Sequence, residues 1–246
     1  MNPLIQAFNT LLYQPLFNAL ILLYNYLPGN DFGLAVIILT FLLRLFLYPV
    51  MTQSIKYQQA LNEIQPRLKE IQENHKNDKE QQAKEIMNLY KEKKINPFNV
   101  FLPLLIQLPL LIALFQVFKT GLQPESMSSL YTFITHPGEI NYLFLGLISL
   151  SEPSLLLAAI TSVVQFFQFK RMNPKQKTIR QSGGTKKKDT IMQFSNVAQK
   201  QMPYFLSAFT FAFLTKLPAA LGLYWITTSL FSIGQQYILT KHGKSS

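Results

Sequence analysis

The run Gly33–Val50, GLAVIILTFLLRLFLYPV, constrains this chain more than any other stretch. It is apolar enough to enter a bilayer, yet it carries one arginine, Arg44, well inside its length. An arginine near the middle of a membrane helix costs ~2.5–3.5 kcal/mol on insertion scales, so such a residue normally faces protein or water rather than lipid. Arg44 is therefore a functional candidate. The competing reading is snorkelling. At ~1.5 Å per residue Arg44 lies about 9–10 Å from the Val50 end, nearly within reach of the interface for a long side chain.

The rest of the composition agrees with a membrane setting. Of 246 residues, 48% are hydrophobic and only 14% charged, which suits a polytopic membrane protein better than a soluble domain. Cysteine is absent, which excludes disulfides, cysteine-based zinc sites and lipid attachment at an N-terminal cysteine. The net charge is +11, and the basic residues fall mainly into two polar blocks, the first nearly balanced by acids, which read as cytoplasmic loops. No Lys or Arg precedes Arg44, so an ordinary signal peptide with a basic start is not expected.

Taken in order, residues 1–30 read as an N-terminal amphipathic helix along the outer interface, interrupted by Pro15. A first span over 31–52 follows, with Asp31 as its N-cap. In the polar segment 53–97, Tyr57, Leu61, Ile64, Leu68 and Ile71 step by four and three, the a/d seam of a coiled coil. Asp78 and Gln81 form a capping box for a second arm, giving an antiparallel cytoplasmic hairpin, with Pro66 expected to kink the first arm. The second span covers 98–118 and contains Pro103, Gln107 and Pro109. Residues 119–152 read as an external loop, whose apolar piece Ile140–Leu150 is too short to cross and lies at the interface. A third span occupies 153–171, followed by a basic cytoplasmic loop over 172–196. Spans four and five, over 197–216 and 218–239, precede a basic tail at 240–246. Five crossings from an outside N-terminus place both basic blocks and the tail in the cytoplasm.

Catalytic chemistry is not legible. His75, His136 and His242 are far apart, no HExxH or paired-carboxylate pattern occurs, and GGTKKK lacks the spacing of a P-loop. No catalytic residue, metal site or cofactor is expected. The basic loop reads as a positive-inside retention signal, with ribosomal RNA or anionic lipid as a second use of the same charges.

The order of these pieces resembles the YidC/Oxa/Alb family of membrane protein insertases along nearly the whole chain. The resemblance rests on LTFLLRLFLYPVMTQSIKYQQALNEIQPRLKEIQ, on FLPLLIQLPLLIALFQVF, and on MPYF followed by KLPAALGLYWITTSLFSIGQQYIL. SEP at Ser151–Pro153 departs from an Asp-Pro common in the family. The large external domain, the extra first span and the lipid-bearing cysteine of some members are absent, so a core-only bacterial form is expected.

The resemblance implies an all-α polytopic fold of five transmembrane helices around a polar groove, open to cytoplasm and lipid and closed to the outside. It maps the groove arginine onto Arg44 and further groove positions onto Thr40, Tyr224 and Trp225. Gln107 and Gln165 are additional groove candidates, although a membrane glutamine also serves as an interhelical hydrogen-bond partner. The implied partners are nascent membrane proteins and membrane lipids, with the ribosome and a Sec translocon as further candidates and a monomer sufficient. The implied location is the bacterial plasma (inner) membrane. Two other classes stay open on the residues alone. One is a small transporter or channel binding an anionic solute at Arg44. The other is a structural tether working through the hairpin.

Overall fold

The computed structural model describes residues 2–96, 99, 102–121, 124–172 and 190–242. Nine α-helices are described: α1 (Pro3–Phe8), α2 (Gln14–Tyr26), α3 (Phe32–Phe46), α4 (Tyr48–Asn74), α5 (Lys79–Glu92), α6 (Leu102–Gln116), α7 (Leu155–Met172), α8 (Thr190–Leu214) and α9 (Ala219–His242). Two short strands, β1 (Leu143–Phe144) and β2 (Ile148–Ser149), pair antiparallel between α6 and α7. The protein is thus predominantly α-helical. The chain divides into two compact units, one of Met1–Arg44 with Ile112–Gly234 and the other of Leu45–Leu111 with Gln235–Ser246.

In the first unit, α1 and α2 are joined by a π-helical turn, Asn9–Tyr13. Pro15 therefore does not interrupt the helical course, as the sequence suggests, but widens it. Proline lacks an N–H and crowds the carbonyl four residues back, and the preceding turn relieves this by opening. The Gln14 N–H accordingly bonds the carbonyl of Asn9, five residues earlier. α1 buries no side chain, whereas α2 buries Leu16, Phe17, Leu20, Ile21 and Tyr24. Part of the segment expected to lie along an interface is thus covered by protein.

What covers α2 includes the loop between α6 and α7. Asn18 donates to the Ser129 carbonyl at 3.0 Å and accepts from the Tyr131 N–H at 2.7 Å. Asn25 donates to the Thr135 carbonyl at 2.7 Å, and the Tyr24 hydroxyl accepts from the Asn141 N–H at 2.8 Å. These bonds satisfy loop backbone groups that regular structure leaves open. Phe32 then packs edge-on against Tyr24, Phe118 and Tyr142. Burial, reinforced by Tyr24, pushes the Tyr142 phenol above its usual pKa.

The β1–β2 hairpin ties helix starts together. Asp31 caps α3 through the Leu34 N–H at 2.9 Å, and its second oxygen accepts the Leu145 N–H at 2.6 Å. The Phe144 ring lies against Gly33, where a Cβ would collide with it. Beyond the hairpin, the carbonyls of Leu150 and Glu152 accept the N–H groups of Ala220 and Ala219 at 3.1 and 2.9 Å. These are first-turn donors of α9 that have no partner within their own helix.

The segment 31–52, expected as one crossing, is broken: α3 ends at Phe46 and α4 starts after Leu47. Pro49 in the first turn of α4 removes a donor and crowds the Leu45 carbonyl, so one straight helix is not sustained. α8 begins at Thr190, inside the expected 172–196 loop, because Thr190–Gln199 contains neither glycine nor proline to stop it. The remainder of that loop, residues 173–189 with GGTKKK, lies outside the described residues, as does 243–246 of the tail. Among the described residues, Leu102–Lys119 is long and apolar enough to cross a membrane, and the bent pair α3–α4 counts as a second span if taken as one.

In the second unit α4 and α5 form a helical hairpin. Ile64, Leu68, Leu89 and Ile95 make its buried core, with Leu61, Ile71, Ile86 and Tyr90 packed against it. Asp78 caps α5 through the Gln81 N–H at 2.9 Å, and α4 continues through Pro66. The Gln235 amide donates to the Tyr48 carbonyl at 3.1 Å and to Thr52 Oγ1 at 2.9 Å, fastening α9 to the first turns of α4.

Candidate functional site

α3 sorts its side chains onto two faces. Val36, Thr40 and Arg44 recur every four residues and are 1%, 2% and 8% exposed, whereas Phe41, Leu42 and Leu45 are about half exposed. A spacing of four keeps side chains on one side of a helix, so Arg44 belongs to the inward face. At 8% exposed, Arg44 is covered by protein over most of its surface. The Thr40 hydroxyl donates to the Val36 carbonyl at 2.6 Å, within its own helix.

Three other helices present polar groups in the same way. On α7 the buried stripe is Leu157, Thr161 and Gln165; on α8 it is Pro203, Ser207, Thr210 and Leu214; on α9 it includes Leu221, Tyr224 and Thr228. Thr161 donates to the carbonyls of Leu157 at 2.6 Å and of Gly222 at 3.2 Å, so α7 and α9 approach closely at Gly222. Phe166 and Tyr204 pack α7 on α8, with ring centroids 4.9 Å apart.

Position along each helix follows from residue count. At ~1.5 Å per residue, Thr161 and Gln165 lie ~9 and ~15 Å from the start of α7, Thr40 and Arg44 ~12 and ~18 Å from that of α3, and Ser207 ~10 Å from the end of α8. The polar side chains therefore form a band inside otherwise apolar helices. Four atoms of this band, Gln165 Oε1, Ser207 Oγ, Thr228 Oγ1 and Ser229 Oγ, have no hydrogen-bond partner among the described residues. A buried unsatisfied polar atom costs ~1–3 kcal/mol, and native proteins retain such atoms mainly where water or a ligand group serves them.

Of the residues singled out from sequence, Arg44, Thr40, Gln165 and Tyr224 are each buried, and all belong to the first unit. Trp225 is half-buried beside Tyr224, and Gln107 is half-buried on the part of α6 that belongs to the second unit. Sequence reading did not select Thr161, Ser207, Thr210, Thr228 or Ser229. Their signal was present, since each falls on the apolar stripe of its helix at three- or four-residue spacing.

The outward faces are apolar: Leu105 and Leu108 on α6, Ile160 and Val163 on α7, and Phe205 and Phe209 on α8 are all largely exposed. Apolar surface outside and a polar band inside define the class, a helical membrane protein. The chain belongs to the family described as the 60Kd inner membrane protein, which it matches over residues 22–246. It is 35% identical over 214 residues to a protein of Clostridium tetani named membrane protein insertase YidC, covering 87% of this chain and 83% of that one. It is 30% identical to the protein of that name from Fusobacterium nucleatum, covering 87% and 88%. A third of that name, from Francisella tularensis subsp. novicida, is 32% identical over 88% of this chain but only 33% of its own length.

Proposed function

We propose that this chain is a membrane protein insertase that takes up the polar tail of a nascent membrane protein in its interior band and releases apolar segments sideways into lipid. The observation that carries the reading is Arg44, 8% exposed on the inward face of α3, in the same unit as four unpartnered polar atoms. The names of the relatives support it. Moving a polar tail across hydrocarbon is the expensive step. A band of donors and acceptors with one fixed positive charge lowers it, while burial of the apolar segment at ~25 cal/mol per Å² supplies the drive toward lipid. No nucleotide or cofactor enters this scheme.

In this reading α3, α6, α7, α8 and α9 are the five crossings, with the N-terminus outside and the α4–α5 hairpin and C-terminus in the cytoplasm. The apolar outward faces and the positive charge of the 170–200 block support that arrangement. Thr40, Gln165, Tyr224 and Trp225 line the path with Arg44 when the band opens. The bonds of the α6–α7 loop to α2, α3 and α9 support closure of the outer end. Nascent membrane proteins are the substrates, and one copy suffices; the ribosome and a Sec translocon are the partners to test for delivery.

The test is insertion of a matched set of substrates differing in tail charge. Arg44→Lys should retain much of the activity. Arg44→Ala should lose it most for acidic tails, and added positive charge on the tail should impair the unaltered protein. The same tail-charge dependence in the unaltered protein and Arg44→Ala would overturn electrostatic uptake by Arg44.

A further inference from the structure

The outward apolar stripe of α7 ends in charge. Leu156, Ile160, Val163 and Phe167 are spaced by four, three and four, and all are exposed. The next positions on that stripe, three and four residues beyond Phe167, are Lys170 and Arg171. The flank is also concave at this point. Phe167, Lys170 and Arg171 of α7 line a pocket of about 300 Å³ with Ile233 of α9 as a wall. Lys170 Nζ lies 5.7 Å from the centre of the Phe166 ring, a cation–π contact that folds the lysine back along α7.

We infer that this pocket binds one anionic phospholipid, its phosphodiester on Lys170 and Arg171 and an acyl chain along Phe167 and Ile233. The inference rests on α7 crossing the membrane, not on the insertase reading. Guanidinium offers a planar pair of donors to phosphate oxygens, and the lysine adds a point charge. An acyl chain running from Phe167 toward Ile160 covers seven residues, ~10 Å of helix, and meets only apolar side chains on the way. A zwitterionic headgroup brings its own ammonium against the two cations, so an anionic one is preferred. Free phosphate or RNA would use the cations but leave the apolar wall without a role, and the apolar wall is what makes this a lipid site.

The full chain in phosphatidylcholine vesicles with a minor fraction of spin-labelled phosphatidylglycerol or phosphatidylcholine reads the preference directly. The unaltered protein should retain the phosphatidylglycerol label more strongly. Each cation near a membrane surface is worth roughly a five-fold change in relative affinity, so Lys170→Gln/Arg171→Gln should abolish most of the preference. Ile233→Trp, which puts an indole into the pocket without changing charge, should weaken it as well. Lys79→Gln/Lys84→Gln on α5, an equal charge change elsewhere, should leave it intact. Loss of preference in the α5 pair, or its persistence in both Ile233→Trp and Lys170→Gln/Arg171→Gln, would overturn the site. So would a short RNA that binds through Lys170 and Arg171 while lipid preference is absent. A nitroxide on Val163→Cys separates the two ideas. A lipid-exposed label without any preference refutes the pocket alone, whereas a water-exposed label refutes the crossing and the pocket with it.

Discussion

The carboxylate of Asp31 accepts the backbone N–H of Leu145 at 2.6 Å across 114 residues of sequence. Its other oxygen caps α3, so one side chain both starts the helix that carries Arg44 and holds the β1–β2 turn. Leu145 stands at φ 52° and Gly146 at φ 72°, the left-handed pair of a type I′ turn. That region is unfavourable for leucine, and the Asp31 bond offsets part of the strain.

Asp31→Ala removes both bonds. Hydrogen bonds to charged groups contribute ~1.5–3 kcal/mol, so local stability of the hairpin should fall by about that amount. Hydrogen exchange of the peptide spanning 143–149 should accelerate in proportion. Unchanged exchange there would mean that the clamp is ornamental.

Gly33→Ala should destabilise the same corner, because the added methyl group meets the Phe144 ring. Overpacking of this kind costs ~1–3 kcal/mol. Phe144→Ala on its own should also weaken the corner, yet it should largely rescue Gly33→Ala. A double-mutant cycle on thermal unfolding measures the coupling, and simple additivity would contradict the contact.

In the α4–α5 hairpin, Leu68→Asp should disorder the arms, since Leu68 is 6% exposed and packs with Ile64, Leu89 and Ile95. Lys84→Gln, on an exposed position, should be silent. Protease sensitivity of residues 53–96 distinguishes the two. Equal resistance in both variants would show that the core of the hairpin is not these residues.

Orientation is open to a clean measurement because the chain has no cysteine. A membrane-impermeant thiol reagent applied from outside should label Ser128→Cys and miss Lys84→Cys in intact cells. The reverse pattern would invert the proposed topology and move the hairpin to the other side.

Sequence alone determined the kinds of segment this chain contains and the family to which it belongs. Apolar runs, a three-and-four seam at Leu61–Ile71, an aspartate before a helix and an arginine inside an apolar stretch are local patterns. They follow from helix periodicity and from the cost of charge in hydrocarbon. Tertiary structure decided what those patterns face. A threonine that bonds its own helix, as Thr40 does, looks alike in sequence whether it turns to lipid or to a neighbour. Ser207, Thr228 and Ser229 fall on periodic stripes in the sequence, but only their burial decided that those stripes face protein. The β1–β2 turn was hidden for a related reason. Leucine at a left-handed position carries no turn signal, and the group that stabilises it is 114 residues away. The break at Leu47 was a matter of degree: Pro49 was visible, but whether a helix bends or ends at a proline depends on packing around it. Periodicity reports that a face must be covered, and only the fold supplies the partner that covers it.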